Sequence, residues 1–88
     1  MPRYFFQLID QGEIYHDSEG QDLVDDEAAR HEAALALSEV ARDALVKDGL
    51  LHEFEIVVRD EAGGTVWRTR LDFEAAAGPA HQSGRDPN

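Results

Sequence analysis

Between Asp25 and Asp48 the apolar residues recur every three or four positions; on both sides of that stretch they alternate with polar ones. The first spacing marks one face of a helix, and the second marks strands with one buried face. At about 100° per residue, Ala29, Ala33, Ala36, Leu37, Val40 and Ala44 fall on one narrow stripe, with Ala41 and Leu45 on its flank. His31, Glu32, Glu39, Arg42 and Asp43 occupy the opposite side, and Leu35 and Val46 are expected to be partly exposed. Asp25 or Asp26 can cap the start, because a short side-chain oxygen accepts an otherwise orphaned backbone N–H. Gly49 suits the left-handed position just past the end. A stripe dominated by alanine lets the helix lie close against a flat partner.

The flanking runs predict four strands. Arg3–Asp10 (RYFFQLID) is rich in aromatic and branched residues. Glu13–Asp17 is a short second strand; if Gln11-Gly12 form a two-residue loop, Leu8 faces Tyr15 and Ile9 faces Ile14. Ser18–Val24 reads as a polar connection containing Gly20. His52–Asp60 places Phe54, Ile56 and Val58 on one face and Glu53, Glu55, Val57 and Arg59 on the other. Thr65–Phe73 alternates in the opposite phase. Pairing Asp60 with Thr65 sets Val58 against Trp67, Ile56 against Thr69, Phe54 against Leu71 and Glu55 against Arg70, so like meets like and opposite charges meet.

A single helix must bury its stripe on the sheet, which predicts a two-layer α+β domain of the ββαββ type. A right-handed crossover stepping over the first strand gives a four-stranded antiparallel sheet, order 2-1-3-4 in chain numbering, with one long helix on one face. The domain is expected to span 1–74, followed by a disordered tail over 75–88, where Ala, Gly, Pro and Ser dominate. The predicted core is Tyr4, Phe6, Leu8, Tyr15, Ala29, Ala33, Leu37, Val40, Ala44, Phe54, Ile56, Val58, Trp67, Leu71 and Phe73. The uncovered sheet face would present Phe5, Ile9, Ile14, Val57 and Val66 among Gln7, Glu53, Glu55, Arg68 and Arg70. Those five apolar residues form the candidate partner surface, unless the long charged stems shield them.

Size and charge narrow the partner. A chain of 88 residues buries a modest share of its surface and gains from outside support. It has no cysteine, so disulfides are excluded and self-association, as a homodimer, is the leading candidate. The same absence fits a reducing cytoplasm. No targeting segment is read in MPRYFFQLID, whose apolar run is too short for a signal-peptide core or a membrane span. The formal net charge of −11, with scattered basic residues, disfavours nucleic acid. It allows attraction to a basic protein.

Catalytic and metal chemistry finds little footing. His16, His31, His52 and His81 lack the mutual spacing of a zinc site and read as surface histidines. The acidic run Asp17–Glu27 fails as an EF-hand loop, because Asp22 and Ala28 stand where Gly and Glu are required. The neighbouring carboxylates Asp25/Asp26 and Glu53/Glu55 are marked by no cleft, Ser18, Ser38 and Ser83 have no nucleophile context, and Gly63-Gly64 reads as turn chemistry. The expectation is a protein that is not an enzyme and carries no cofactor.

The opening MPRYFFQL, the turn Asp17-Ser18-Glu19-Gly20, the segment Asp26-Glu27-Ala28-Ala29-Arg30 and Val58-Arg59-Asp60-Glu61-Ala62-Gly63 together resemble a family of small bacterial proteins, common in alphaproteobacteria such as rhizobia. Its members begin MPRYFF(H)L and carry D-x-E-G, E-A-A-R and D-E-x-G in that order. The resemblance covers residues 1–73 and implies a domain of unknown function in a bacterial cytoplasm. Gln7 stands where the family commonly has His, so any role of that histidine does not carry over. At fold level alone, the element order is also similar to HicB-type antitoxin domains, which bind a small basic toxin. The sequence therefore yields two expectations: a non-enzymatic interaction module that self-associates through the open sheet face, or an antitoxin-like or regulatory protein holding a basic partner.

Overall fold

A computed structural model describes residues 1–48 and 51–78. Six elements follow one another: β1 (Arg3–Asp10), β2 (Glu13–His16), β3 (Gln21–Asp22), α1 (Asp26–Asp48), β4 (Leu51–Arg59) and β5 (Thr65–Glu74). They form one antiparallel sheet with a single helix, an α+β architecture. Gly49, the expected cap, lies outside the described residues, as do positions 79–88 of the expected tail.

The first hairpin closes as its sequence requires. Gln11 and Gly12 have φ of 52° and 89°, the positive values that a two-residue turn between right-twisted strands demands. Glycine adopts them freely, and Gln11 is held there by both ends of the residue. Its N–H donates to the Glu53 carbonyl at 3.2 Å, and its Oε1 accepts from the Glu53 N–H at 3.1 Å. Leu8 then faces Tyr15 and Ile9 faces Ile14, as the two-residue loop predicts.

The sheet has five strands where the sequence predicts four in the order 2-1-3-4. The longer strands run β2-β1-β4-β5, and the additional β3 pairs with β1 beside Arg3 and Tyr4. The polar connection is therefore not loose. Asp17 Oδ1 accepts from the N–H groups of Glu19 and Gly20, which bends the chain back, and Arg3 pairs with Asp22 at 3.2 Å. Local side-chain-to-backbone bonds of this kind are how an acidic turn acquires a fixed shape.

Asp25 caps α1: its Oδ1 accepts from the Ala28 N–H at 2.9 Å. Asp26 instead ties the helix start to the sheet. Its Oδ1 accepts from the Tyr4 hydroxyl at 2.6 Å and its carbonyl accepts from Trp67 Nε1 at 2.7 Å. The helix packs over β4 and β5, with Ala29, Ala33, Leu37 and Ala41 buried. Val40 and Ala44, expected at the centre of the stripe, are only half-buried, and Ala41 replaces them. A row of four-residue steps drifts about 40° around the axis per step, so the line of contact crosses the helix obliquely.

The core beneath comprises Tyr4, Phe54, Ile56 and Val58, with Phe6, Leu8, Trp67 and Leu71 packed around it. Phe73 is half-buried. Tyr15, expected inside, is 52% exposed because β2 lies beyond the reach of the helix; its hydroxyl donates to Glu13 instead.

The β4–β5 register pairs Val58 with Trp67, Ile56 with Thr69, Glu55 with Arg70 and Phe54 with Leu71, as alternation predicts. At the turn it departs: Thr65 pairs with Arg59, not with Asp60, leaving Val66 as an extra residue in a bulge. Asp60 thereby joins the loop, and its Oδ1 accepts from the N–H groups of Ala62 and Gly64 and fixes the loop's shape.

The Tyr4–Asp26 bond makes stability depend on alkaline pH. That hydrogen bond first, then burial and the carboxylates of Asp26, Asp25 and Asp60, push the Tyr4 phenol from 10.0 up to about 12. The unfolded chain releases this proton near pH 10 and the folded one holds it. Its contribution is therefore complete below about pH 10 and disappears as pH rises towards about 12. The melting temperature is expected to fall through this window in the parent protein and to fall less in Tyr4→Phe. Tyr15, raised by its bond to Glu13, adds a weaker dependence of the same sign. Parallel profiles for the two proteins would contradict this assignment.

Candidate interaction surface

The sheet face away from α1 is built by alternation. β1 contributes Phe5, Gln7 and Ile9, β2 contributes Ile14 and His16, β4 contributes Leu51, Glu53, Glu55, Val57 and Arg59, and β5 contributes Arg68, Arg70, Asp72 and Glu74; Leu51 is 64% exposed at the far end of β4. The five apolar candidates meet different fates there.

Val57 is closed off. Gln7 and Arg68 flank it across the strands, and Glu55 and Arg59 flank it along β4. Arg59 donates to Gln7 Oε1 at 3.3 Å and to Thr65 Oγ1 at 3.0 Å, and Arg68 donates to Glu55 Oε2 at 3.2 Å. These long stems leave Val57 only 2% exposed. Phe5 is covered by the turn ending at Gly20. A Cβ at Gly20 would stand 2.9 Å from the Phe5 ring and 2.9 Å from the Tyr4 carbonyl oxygen, and its φ is +78°; both observations explain the glycine. Val66, displaced by the bulge, packs towards the core cluster.

Ile9 and Ile14 remain. They are direct cross-strand partners, Ile9 half-buried and Ile14 52% exposed. Beside them lies a shallow depression lined by Ile9, Gln11, Gly12, Glu53, Glu55 and Arg70. The surface is thus an apolar pair at one corner, bordered by carboxylates and a guanidinium.

One titratable pair was missed by the sequence reading. His52, expected at the surface, is 8% exposed; its Nε2 lies 2.7 Å from Asp10 Oδ1, and its ring stacks on Phe54 at 4.3 Å. The signal was available, since His52 shares a strand face with Phe54, Ile56 and Val58. This pair joins the end of β1 to the start of β4 on the helix side of the sheet. His16 and His31 are exposed, and His81 lies outside the described residues. Among the described residues no group of three or more His, Cys, Asp or Glu is placed to hold a metal ion. Nor is any helix among them long and apolar enough to cross a membrane.

Comparison with curated proteins and with solved structures returns no match. Nothing found links the chain to antitoxin domains or to a particular group of bacteria. The resemblance read from its N-terminal, acidic-turn and hairpin motifs holds at the level of a domain of unknown function. Residues 3–72 match the family described as Domain of unknown function (DUF6894), and the chain belongs to that family.

Proposed function

We propose that this domain is a non-enzymatic interaction module of the cytoplasm that self-associates through its open sheet face, at the corner formed by Ile9 and Ile14. The observation behind this reading is the half-exposed Ile14 beside Ile9, the two of the five candidate residues that are neither roofed nor turned inward. Joining two such corners removes apolar surface from water at about 25 cal/mol per Å². The flanking Glu53, Glu55 and Arg70 supply both signs of charge for a self-complementary rim. Ile14→Glu is expected to lower the limiting mass reached with concentration in sedimentation equilibrium while leaving the far-ultraviolet circular dichroism unchanged. A parent protein that stays monomeric at high concentration, or a mutant that associates equally well, sinks the proposal.

The alternative is an antitoxin-like or regulatory protein that holds a basic protein. The net charge of −11 favours it. It ranks second because acids of the Asp17–Glu27 run are already engaged: Asp22 by Arg3, Asp26 by Tyr4 and Glu27 by Arg30. Salt separates the two readings, since a charge-held complex weakens with ionic strength and an apolar contact does not.

A further inference from the structure

β5 is the outermost strand on one side of the sheet, and among the described residues its outer edge pairs with nothing. Such an edge offers a row of backbone donors and acceptors to another strand. We propose that a second copy of this chain docks there, β5 against β5 in antiparallel fashion about a twofold axis at Leu71, extending the two sheets into one.

The side chains select the occupant. Beyond the bulge, the open-face residues of β5 read Arg68, Arg70, Asp72, Glu74: two positive, then two negative. A row of one sign would repel a copy of itself. This row reverses sign at its centre, and antiparallel pairing reverses the order of the partner, so the edge is its own electrostatic complement. With Leu71 opposite the partner's Leu71, Arg68 meets the partner's Glu74 and Arg70 meets the partner's Asp72, and symmetry repeats both pairs.

The register is tightly constrained. Both sheets keep their faces only if open-face residues meet open-face residues. The smallest permitted slides put Arg70 against the partner's Arg70, or Asp72 against the partner's Asp72, and like charges directly opposite are unfavourable. On the helix side the chosen register brings together Leu71 with the partner's Leu71 and Thr69 with the partner's Phe73, all half-buried in the single chain.

The four charged side chains are exposed and available. Arg70 presently contacts Asp72 at 3.1 Å and Arg68 contacts Glu55 at 3.2 Å. Exposed pairs of this kind hold their partners weakly, so exchange for an intermolecular carboxylate meets little resistance. Ile14 is on β2, at the opposite edge of the sheet; Arg70 alone is common to this edge row and to the rim of the corner proposed above.

Two charge variants test it by sedimentation velocity. Arg68→Glu/Arg70→Glu makes the row wholly negative, and Asp72→Arg/Glu74→Arg makes it wholly positive. Both are made in the Ile14→Glu background, which removes the corner contact: Ile14→Glu itself is expected to dimerise, each charge variant in that background to be monomeric alone, and their equal mixture to recover a dimer. A monomeric Ile14→Glu protein, a charge variant that dimerises alone in that background, or a mixture of folded variants that fails to associate overturns the proposal. Because the chain has no cysteine, cross-linking gives a second reading on the full chain. Leu71→Cys lies on the proposed axis, within disulfide reach of its own copy; Thr69→Cys is offset from it. Oxidation should link Leu71→Cys covalently and spare Thr69→Cys; equal yields, or none at Leu71→Cys, overturn it.

Discussion

Phe54→Ala is expected to remove about 3–5 kcal/mol of stability, the usual cost of emptying a buried phenylalanine site. Phe54 is 1% exposed. It occupies the central strand, flanked by Asp10 on β1 and Leu71 on β5, with the His52 ring stacked upon it. Neighbours fixed by sheet hydrogen bonds on both sides collapse poorly into a void, which places the loss towards the upper end. Small domains have total stabilities near the low end of about 5–15 kcal/mol. The variant should therefore be largely unfolded at a temperature where the parent is intact. Urea titration followed by circular dichroism measures this. A loss below about 1 kcal/mol would show that the site is not the packed centre described above.

Ala33→Leu tests the helix–sheet contact from the opposite direction. Ala33 is 0% exposed, as is Ala29 one turn earlier. The helix approaches the sheet closely because those positions carry a single methyl group. Additional carbons have no space, and forcing them in costs about 1–3 kcal/mol through side-chain and backbone displacement. Ala34→Leu, one position along on the exposed face, is the control. Both substitutions exchange one strong helix former for another, so the control should remain within about 0.5 kcal/mol of the parent. Equal melting temperatures for the two variants would contradict the close approach.

How much of this was legible in the sequence differs between elements. The β4–β5 pairing could be read because both strands alternate strictly and their charges complement each other. The first hairpin could be read because Gln11-Gly12 leaves a two-residue loop no other favourable form. The bulge at Val66 could not, since it accompanies a loop whose shape Asp60 fixes by bonding two backbone N–H groups ahead of it, which hydrophobic pattern does not encode. β3 was hidden for the same reason: Asp17 and Arg3 fix a polar segment that carries no strand periodicity. Ala41 displaced Val40 because an oblique contact line follows packing angle, not a straight stripe.

The candidate surface was legible in outline and altered in detail. Alternation placed Phe5, Ile9, Ile14 and Val57 on the open face correctly. It could not show that four long polar side chains meet over Val57, or that a glycine turn leans on Phe5. Exposure depends on what neighbouring side chains do in three dimensions, and the face was smaller in apolar area than its residue types implied. His52 was missed because histidine is only intermediate in its tendency to be buried, although its strand face was known.

Trp67 bonds through its indole N–H to the first turn of the helix while standing on the outermost strand. It is the chain's single tryptophan. Its emission colour therefore reports directly on whether helix and sheet remain joined, so the protein contains its own optical gauge at the seam between its two layers and needs no attached dye.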